Sequence, residues 1–123
     1  MSESQPFRSP ALLHRSDSRL LIVDLQERLL PAMAHRDRVL ENCVRLVQGA
    51  RLLGVPVDAT EQYPRGLGPT VDPLRGLVGA PQEKLRFSSC GALDWTLAAG
   101  DTERWKVVLA GIEAHVCIQQ TAM

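Results

Sequence analysis

This sequence lacks net charge and long apolar runs. Its 14 basic and 14 acidic residues give a formal net charge of zero, so there is no broad electrostatic reason to expect nucleic acid or an anionic membrane as a partner. No apolar run approaches the roughly 20 residues of a membrane-spanning helix. Because 45% of the residues are hydrophobic, we expect a globular domain with neither kind of partner.

The amino terminus lacks the apolar segment of a secretory signal. Residues 1–17 mix charged residues with Pro and Ser, so we interpret them as a flexible leader that precedes one domain at 18–123. The three cysteines are an odd number. Without a signal they favour reduced thiols in a cytoplasmic protein over a disulfide framework.

Short apolar runs alternate with helical periodicity along the chain, and residues 61–79 are rich in Gly and Pro. The latter predict a loop with one short helical turn at 72–77. The alternation predicts an α/β domain with a mainly parallel sheet. The predicted strands are 18–24, 55–60, 83–87 and 105–111, and the predicted helices are 37–53, 92–98 and 114–123.

Ligands of such sheets bind beyond the carboxyl ends of the strands, which directs attention to Asp24, residues 61–63, Lys84 and the turn 111–117. Cys117 falls in the first turn of a predicted helix, where free N–H groups and the helix dipole favour a thiolate. Asp24 and Lys84 supply a proton acceptor and a cation. On residue types alone, however, a helical cysteine is more often a small core residue, so both interpretations of Cys117 stay open.

Four segments in order resemble the isochorismatase-like cysteine hydrolases, most closely the isochorismatase-domain proteins of unassigned substrate. They are LIVDLQ at 21–26, TEQYPRGLGPT at 60–70, EKLRFS at 83–88 and GIEAHVCIQQT at 111–121, of which the last is the most specific. The resemblance implies a three-layer α/β/α sandwich with a Rossmann-like sheet. Family members usually continue with a further strand and helices, so we expect this chain to lack the C-terminal part.

The resemblance also implies a catalytic triad of Asp24, Lys84 and Cys117. Cys117 would attack a carbonyl carbon, Asp24 would act as base and then acid, and Lys84 would orient Asp24 and stabilise the thiolate. Ile112, Glu113 and Cys117 would form the oxyanion site, with a cis peptide bond between Ile112 and Glu113. The implied reaction is hydrolysis of a C–N bond in a small amide through a thioester-type intermediate, without a cofactor.

Further candidates line the expected substrate pocket, and for each the alternative is structural packing. They are Gln62, Tyr63, Phe87 and His115. Metal-binding relatives carry an Asp-x-His-x-x-His motif after the second strand, whereas residues 61–66 here read EQYPRG. We therefore expect no metal site.

Two other functions stay open from the sequence. One is a non-catalytic interaction protein on the same fold, and the other is a hydrolase of vinyl ethers such as isochorismate. The expected partners are a small-molecule substrate and further copies of the chain, because an exposed edge of the strand at 105–111 favours self-association. We expect Cys43 and Cys90 to be packing residues.

Overall fold

Six consecutive buried residues form β1, Ser18–Val23. It pairs in parallel with β2, Val57–Gln62, on one side and with β4, Lys106–Gly111, on the other. Strand β3, Gln82–Lys84, is parallel to β2, so the four-stranded order is β3-β2-β1-β4. A strand that has parallel neighbours and is covered on both faces has a nearly continuous run of apolar residues in its sequence. The predicted α/β class and parallel sheet are confirmed.

The structure is a computed structural model that describes residues 12–85 and 106–112 together with residues 9 and 122. A 3-10 turn at Leu30–Ala32 precedes the long helix α1, Arg36–Leu52. Two single-turn helices follow β2, namely α2, Pro64–Leu67, and α3, Leu74–Leu77. No helix within these ranges has the length and apolar character needed to cross a membrane.

Helix α1 contributes a buried stripe to the hydrophobic core. Cys43, Val47 and Ala50 are buried at helical spacing, and they pack with Leu20 and Ile22 of β1. Val47 is wholly buried, and burying such a side chain stabilises the fold by about 1.5–3 kcal/mol. The same burial raises the pKa of the Cys43 thiol, because the low-dielectric core disfavours the thiolate.

The carboxyl end of α1 is closed by a Schellman motif at Gly54, which has a φ of +73°. The Gly54 N–H donates to Arg51 O at 3.2 Å, and the Val55 N–H donates to Ala50 O at 2.8 Å. This pattern requires a left-handed residue, which glycine adopts without strain. The helix predicted at 37–53 thus ends within one residue of the observed end at Leu52, and Gly54 supplies the cap.

Several predicted boundaries were wrong for physical reasons. Strand β2 begins at Val57, not at Val55, because the Val55 N–H is used by the helix cap and Pro56 has none. Helix α2 was missed within the Gly- and Pro-rich loop, although its first residue, Pro64, is a position where proline is favoured. Strand β3 begins at Gln82 and ends at Lys84. Apart from residue 122, the helices predicted at 92–98 and 114–123 lie outside the described residues.

The segment before β1 is bound to the start of β4 through Lys106. The Lys106 N–H donates to Asp17 O at 3.1 Å, and its Nζ donates to Leu12 O and, at 3.0 Å, to Asp17 Oδ2. The hydrogen bond from Lys106 holds the pKa of the Asp17 carboxyl below its ordinary value. Residues 12–17 thus contact the sheet, while the proposed domain boundary at residue 18 stays a prediction.

Substitution of Gly54 by alanine is expected to destabilise the protein by about 1–2 kcal/mol, the cost of a left-handed non-glycine residue. A Cβ at this position meets no atom within 4 Å, so the cost comes from the left-handed backbone and not from a clash. Gly49 provides a matched control, since its added Cβ is equally free but it lies inside α1. Gly49→Ala is expected to stabilise by about 0.5–1 kcal/mol. Equal shifts of the two urea midpoints would contradict this account.

The Asp17 contact gives a pH dependence of defined sign. A carboxyl with a lowered folded-state pKa stabilises the fold fully above its unfolded value, near pH 4, and loses that contribution as pH falls through the folded value. We expect the wild type to have a larger free energy of unfolding than Asp17→Asn at pH 6, because the carboxylate is then ionised. The difference should shrink as the pH is taken below about 4. A constant difference across this range would show that the carboxylate charge is irrelevant.

Candidate active site at the carboxyl ends of the strands

The strand order places a topological switch point at the carboxyl ends of β1 and β4. The chain passes from β1 to β2 and β3 on one side, and β4 then lies on the other side of β1. Ligands of open parallel sheets bind at such a topological switch point. Asp24 follows β1 here, and Ile112 follows β4.

Asp24 is held by β2 through both its backbone and its side chain. Its N–H donates to Thr60 O at 3.1 Å, and its Oδ1 accepts a hydrogen bond from Thr60 Oγ1 at 2.9 Å. Its φ of 55° lies in the left-handed region, which aspartate tolerates better than bulky residues do. Such backbone conformations cluster at functional sites, where surrounding contacts enforce them.

Lys84 brings the charge that balances Asp24. It is the last residue of β3, and its Nζ lies 2.8 Å from Asp24 Oδ2 with side-chain exposures of 3% and 1%. Nζ also donates to Gln62 Oε1 at 2.6 Å. A buried ammonium and carboxylate tolerate removal from water only when they are paired and otherwise hydrogen-bonded. The structure therefore brings together two of the three predicted catalytic side chains.

The two carboxylate oxygens of Asp24 have different surroundings. Oδ1 is engaged by Thr60. Oδ2 lies within ion-pair distance of Lys84 Nζ, yet it accepts no hydrogen bond of regular geometry from the described residues. A carboxylate oxygen accepts more than one hydrogen bond, so Oδ2 keeps the capacity to accept a further hydrogen bond.

Gln26 joins the site although the sequence pattern did not single it out. Its side chain is wholly buried, its Nε2 donates to Gln62 O at 2.9 Å and Gly68 O at 2.8 Å, and its Oε1 accepts the Gln62 N–H at 2.7 Å. The only signal in the sequence was its place inside the first resembling segment. Its partners depend on the conformation of the loop after β2.

Glu61 lies at a strand end that the sequence singled out, but its contacts were not predicted. Its carboxylate is buried, and Oε2 accepts hydrogen bonds from Thr70 N at 2.6 Å and from Thr70 Oγ1 at 2.8 Å. These bonds tie the end of β2 to the far end of the following loop. Among the described residues, no group of three His, Cys, Asp or Glu side chains is placed to hold a metal ion.

The other predicted site residues are distributed as follows. Tyr63 is half exposed with a φ of 37°, and its ring lies against Gly66, where an added Cβ would come within 2.5 Å of it. Ile112 is partly buried against the core. Four predicted residues lie outside the described ranges, so the structure does not test them: Phe87, Glu113, His115 and Cys117. The same holds for Cys90.

The chain is similar in sequence to a known protein family. A family model described as the isochorismatase domain matches residues 18–123. Isochorismatase domain-containing protein 1 of Danio rerio is 47% identical over 103 residues, covering 81% of this chain and 36% of that protein. Isochorismatase domain-containing protein 2A of Mus musculus is 42% identical over 104 residues, covering 85% and 50%. The chain spans about half the length, or less, of these curated relatives.

A solved structure shares the fold. The MAR1 ribonuclease from Caenorhabditis elegans superimposes with a TM-score of 0.79 at 34% sequence identity, covering 90% of this chain and 58% of that one. The parallel sheet of this chain is thus part of a known architecture.

Replacing either member of the buried pair by an uncharged residue is expected to lower the free energy of unfolding by about 3 kcal/mol or more, because the remaining charge stays buried without a partner. We expect this for Lys84→Met and for Asp24→Asn, measured by urea unfolding. The double variant should lose less than the sum of the single losses, since neither charge is left behind.

The exposed pair Glu41 and Arg45 is the matched control, with a similar distance of 2.8 Å but side-chain exposures of 69% and 64% for the arginine and the glutamate. Its coupling energy, from Glu41→Gln, Arg45→Met and their combination, should be about 0.5 kcal/mol or less. A buried pair that couples no more strongly than this control would contradict the role assigned to burial.

Proposed function

This chain belongs to the isochorismatase domain family, and from that premise we propose that it is a cysteine hydrolase of small amides, with Cys117 as its nucleophile. The observation that carries the proposal is the buried contact of Asp24 with Lys84 at the strand ends. Cysteine hydrolases need a group that removes the thiol proton and a cation that favours the thiolate. The pair supplies both, and β4 ends six residues before Cys117.

In the proposed first half-reaction, Asp24 Oδ2 takes the proton of the Cys117 thiol. The thiolate attacks the amide carbonyl carbon, and the π electrons of the carbonyl move onto its oxygen. The backbone N–H groups of Glu113 and Cys117 stabilise that oxyanion, as helix-start N–H groups do in acyl transfer. The carbonyl re-forms as the C–N bond breaks, the amine leaves with the proton from Asp24, and a thioester remains.

In the second half-reaction, Asp24 takes a proton from water, and the resulting hydroxide attacks the thioester carbon. The C–S bond breaks, the carboxylic acid leaves, and Asp24 returns its proton to the thiolate. Protons and electron pairs balance with the amide and water as the only reactants. Lys84 keeps its charge throughout, so it stabilises the thiolate whenever Asp24 is protonated.

Alkylation of the thiols tests this proposal directly. We expect iodoacetamide to label Cys117 at least about tenfold faster than Cys43 at pH 7, because a thiol with a pKa lowered by one unit from about 8.5 has roughly ten times more thiolate. Cys43 is the internal control, since its burial raises the pKa of its thiol. The rates are measured by peptide mass spectrometry across pH. Labelling of Cys117 no faster than that of Cys43 would contradict an activated nucleophile.

Turnover identifies the bond that is cleaved. A panel of small amides is expected to contain a substrate whose hydrolysis is lost in Cys117→Ala while the labelling of Cys43 is unchanged. RNA belongs in the panel because the similar Caenorhabditis elegans protein is named a ribonuclease. Cleavage of a vinyl ether that survives Cys117→Ser would instead support hydrolysis without a covalent intermediate.

A further inference from the structure

Gln62 contacts the Asp24 and Lys84 pair through its side chain, although the proposed hydrolysis assigns it no chemical step. Its Oε1 accepts a hydrogen bond from Lys84 Nζ at 2.6 Å, and its Nε2 donates to Leu85 O at 2.8 Å. Both ends of the side-chain amide are thus engaged within the protein. The two bonds define which end is oxygen, because a carbonyl accepts only from the nitrogen end and an ammonium donates only to the oxygen end.

The backbone of Gln62 is fixed by another amide. Gln26 accepts the Gln62 N–H at 2.7 Å and donates to the Gln62 carbonyl at 2.9 Å, so one side chain satisfies both backbone groups. Gln26 is itself wholly buried and donates a further hydrogen bond to Gly68 O. A buried amide with several of its hydrogen bonds satisfied is costly to displace. Gln62 is consequently held at its backbone as well as at its side chain.

We infer that Gln62 is a positioning residue of the site, whose neutral amide oxygen holds Lys84 Nζ against Asp24 Oδ2. This inference rests on the proposed function, because the task it assigns to Gln62 is to keep the pair ready for the Cys117 thiol. Its assigned contribution is made through Lys84. The separate expectation that Gln62 lines the substrate pocket stays a prediction.

The neutrality of the amide is the essential property. When Asp24 has taken the thiol proton, Lys84 is the positive charge available to the thiolate. A carboxylate at position 62 would place a second negative charge on the same ammonium, and a nearby like charge disfavours ionisation of the thiol. An amide oxygen satisfies one ammonium proton without adding charge. Glutamine and glutamate are nearly the same size, so their exchange separates charge from shape.

The pH profile of Cys117 alkylation in the whole chain tests the inference. Gln62→Glu is expected to move the midpoint of the profile upward by about one pH unit or more, through the added negative charge. Gln62→Met, which keeps the length but not the acceptor, is expected to slow labelling at pH 7 by roughly tenfold. Gln48→Glu is the matched control on the exposed side of α1 and should leave the profile unchanged. Where wild-type Cys117 shows a lowered midpoint, a Gln62→Glu profile that coincides with that of the wild type overturns the inference.

A second measurement separates this inference from the proposed function. The exchange of the Lys84 ammonium protons with water, followed by ¹⁵N NMR, is expected to be at least several-fold faster in Gln62→Met than in the wild type and in Gln48→Met. Faster exchange supports the inference even where Cys117 of the wild type shows an ordinary labelling profile, a result that would count against the nucleophile alone. Unchanged exchange in a folded Gln62→Met protein overturns the inference. Circular dichroism of each variant establishes that it is folded.

Discussion

The buried contact between Asp24 and Lys84 is the constraint on which the described site depends. Each charge costs several kcal/mol to remove from water, and pairing offsets this only when the remaining hydrogen-bonding groups also find partners. Thr60 satisfies Asp24 Oδ1, and Gln62 satisfies Lys84 Nζ. Both belong to β2, which lies between the strands that carry the two charges. The strand between β1 and β3 therefore also supplies the groups that make the burial of the two charges tolerable.

The loop after β2 follows from the same requirement. Gln62 can hold Lys84 only if the end of β2 is rigid, and backbone hydrogen bonds fasten the loop to the segment after β1. The Glu27 N–H donates to Pro69 O at 2.9 Å, and the Val71 N–H donates to Leu25 O at 2.9 Å. These two hydrogen bonds and the buried side chain of Gln26 join segments that are distant in sequence. Gln26 and Gln62, for example, are 36 residues apart. Polar groups that would otherwise lose hydration are thus paired.

Features with a local cause were predictable from the sequence, and features that depend on loop conformation were not. The apolar run of β1 and the helical spacing of α1 each identify an element without reference to the rest of the chain. Asp24 and Lys84 were predicted by the order of resembling segments, since no spacing rule relates them. The partners of Gln26 were not predictable, because a side-chain amide bonds whichever backbone groups the folded loop presents to it. Residue types alone also left Cys117 undecided between core and nucleophile.

The contacts of Asp24 are asymmetric, and this asymmetry suits one carboxylate to a structural contact and to the proposed chemistry. Its Oδ1 is bound by β2, and its Oδ2 meets an ammonium that reaches it from β3. Both contacts come from the same side of β1, whereas β4 and Ile112 lie on the other. Held from one side in this way, the carboxylate keeps a fixed position while an acceptor site on Oδ2 stays unused by the described residues. A carboxylate held in this way beside the topological switch point has the fixed position and the acceptor capacity that the proposed proton transfer requires.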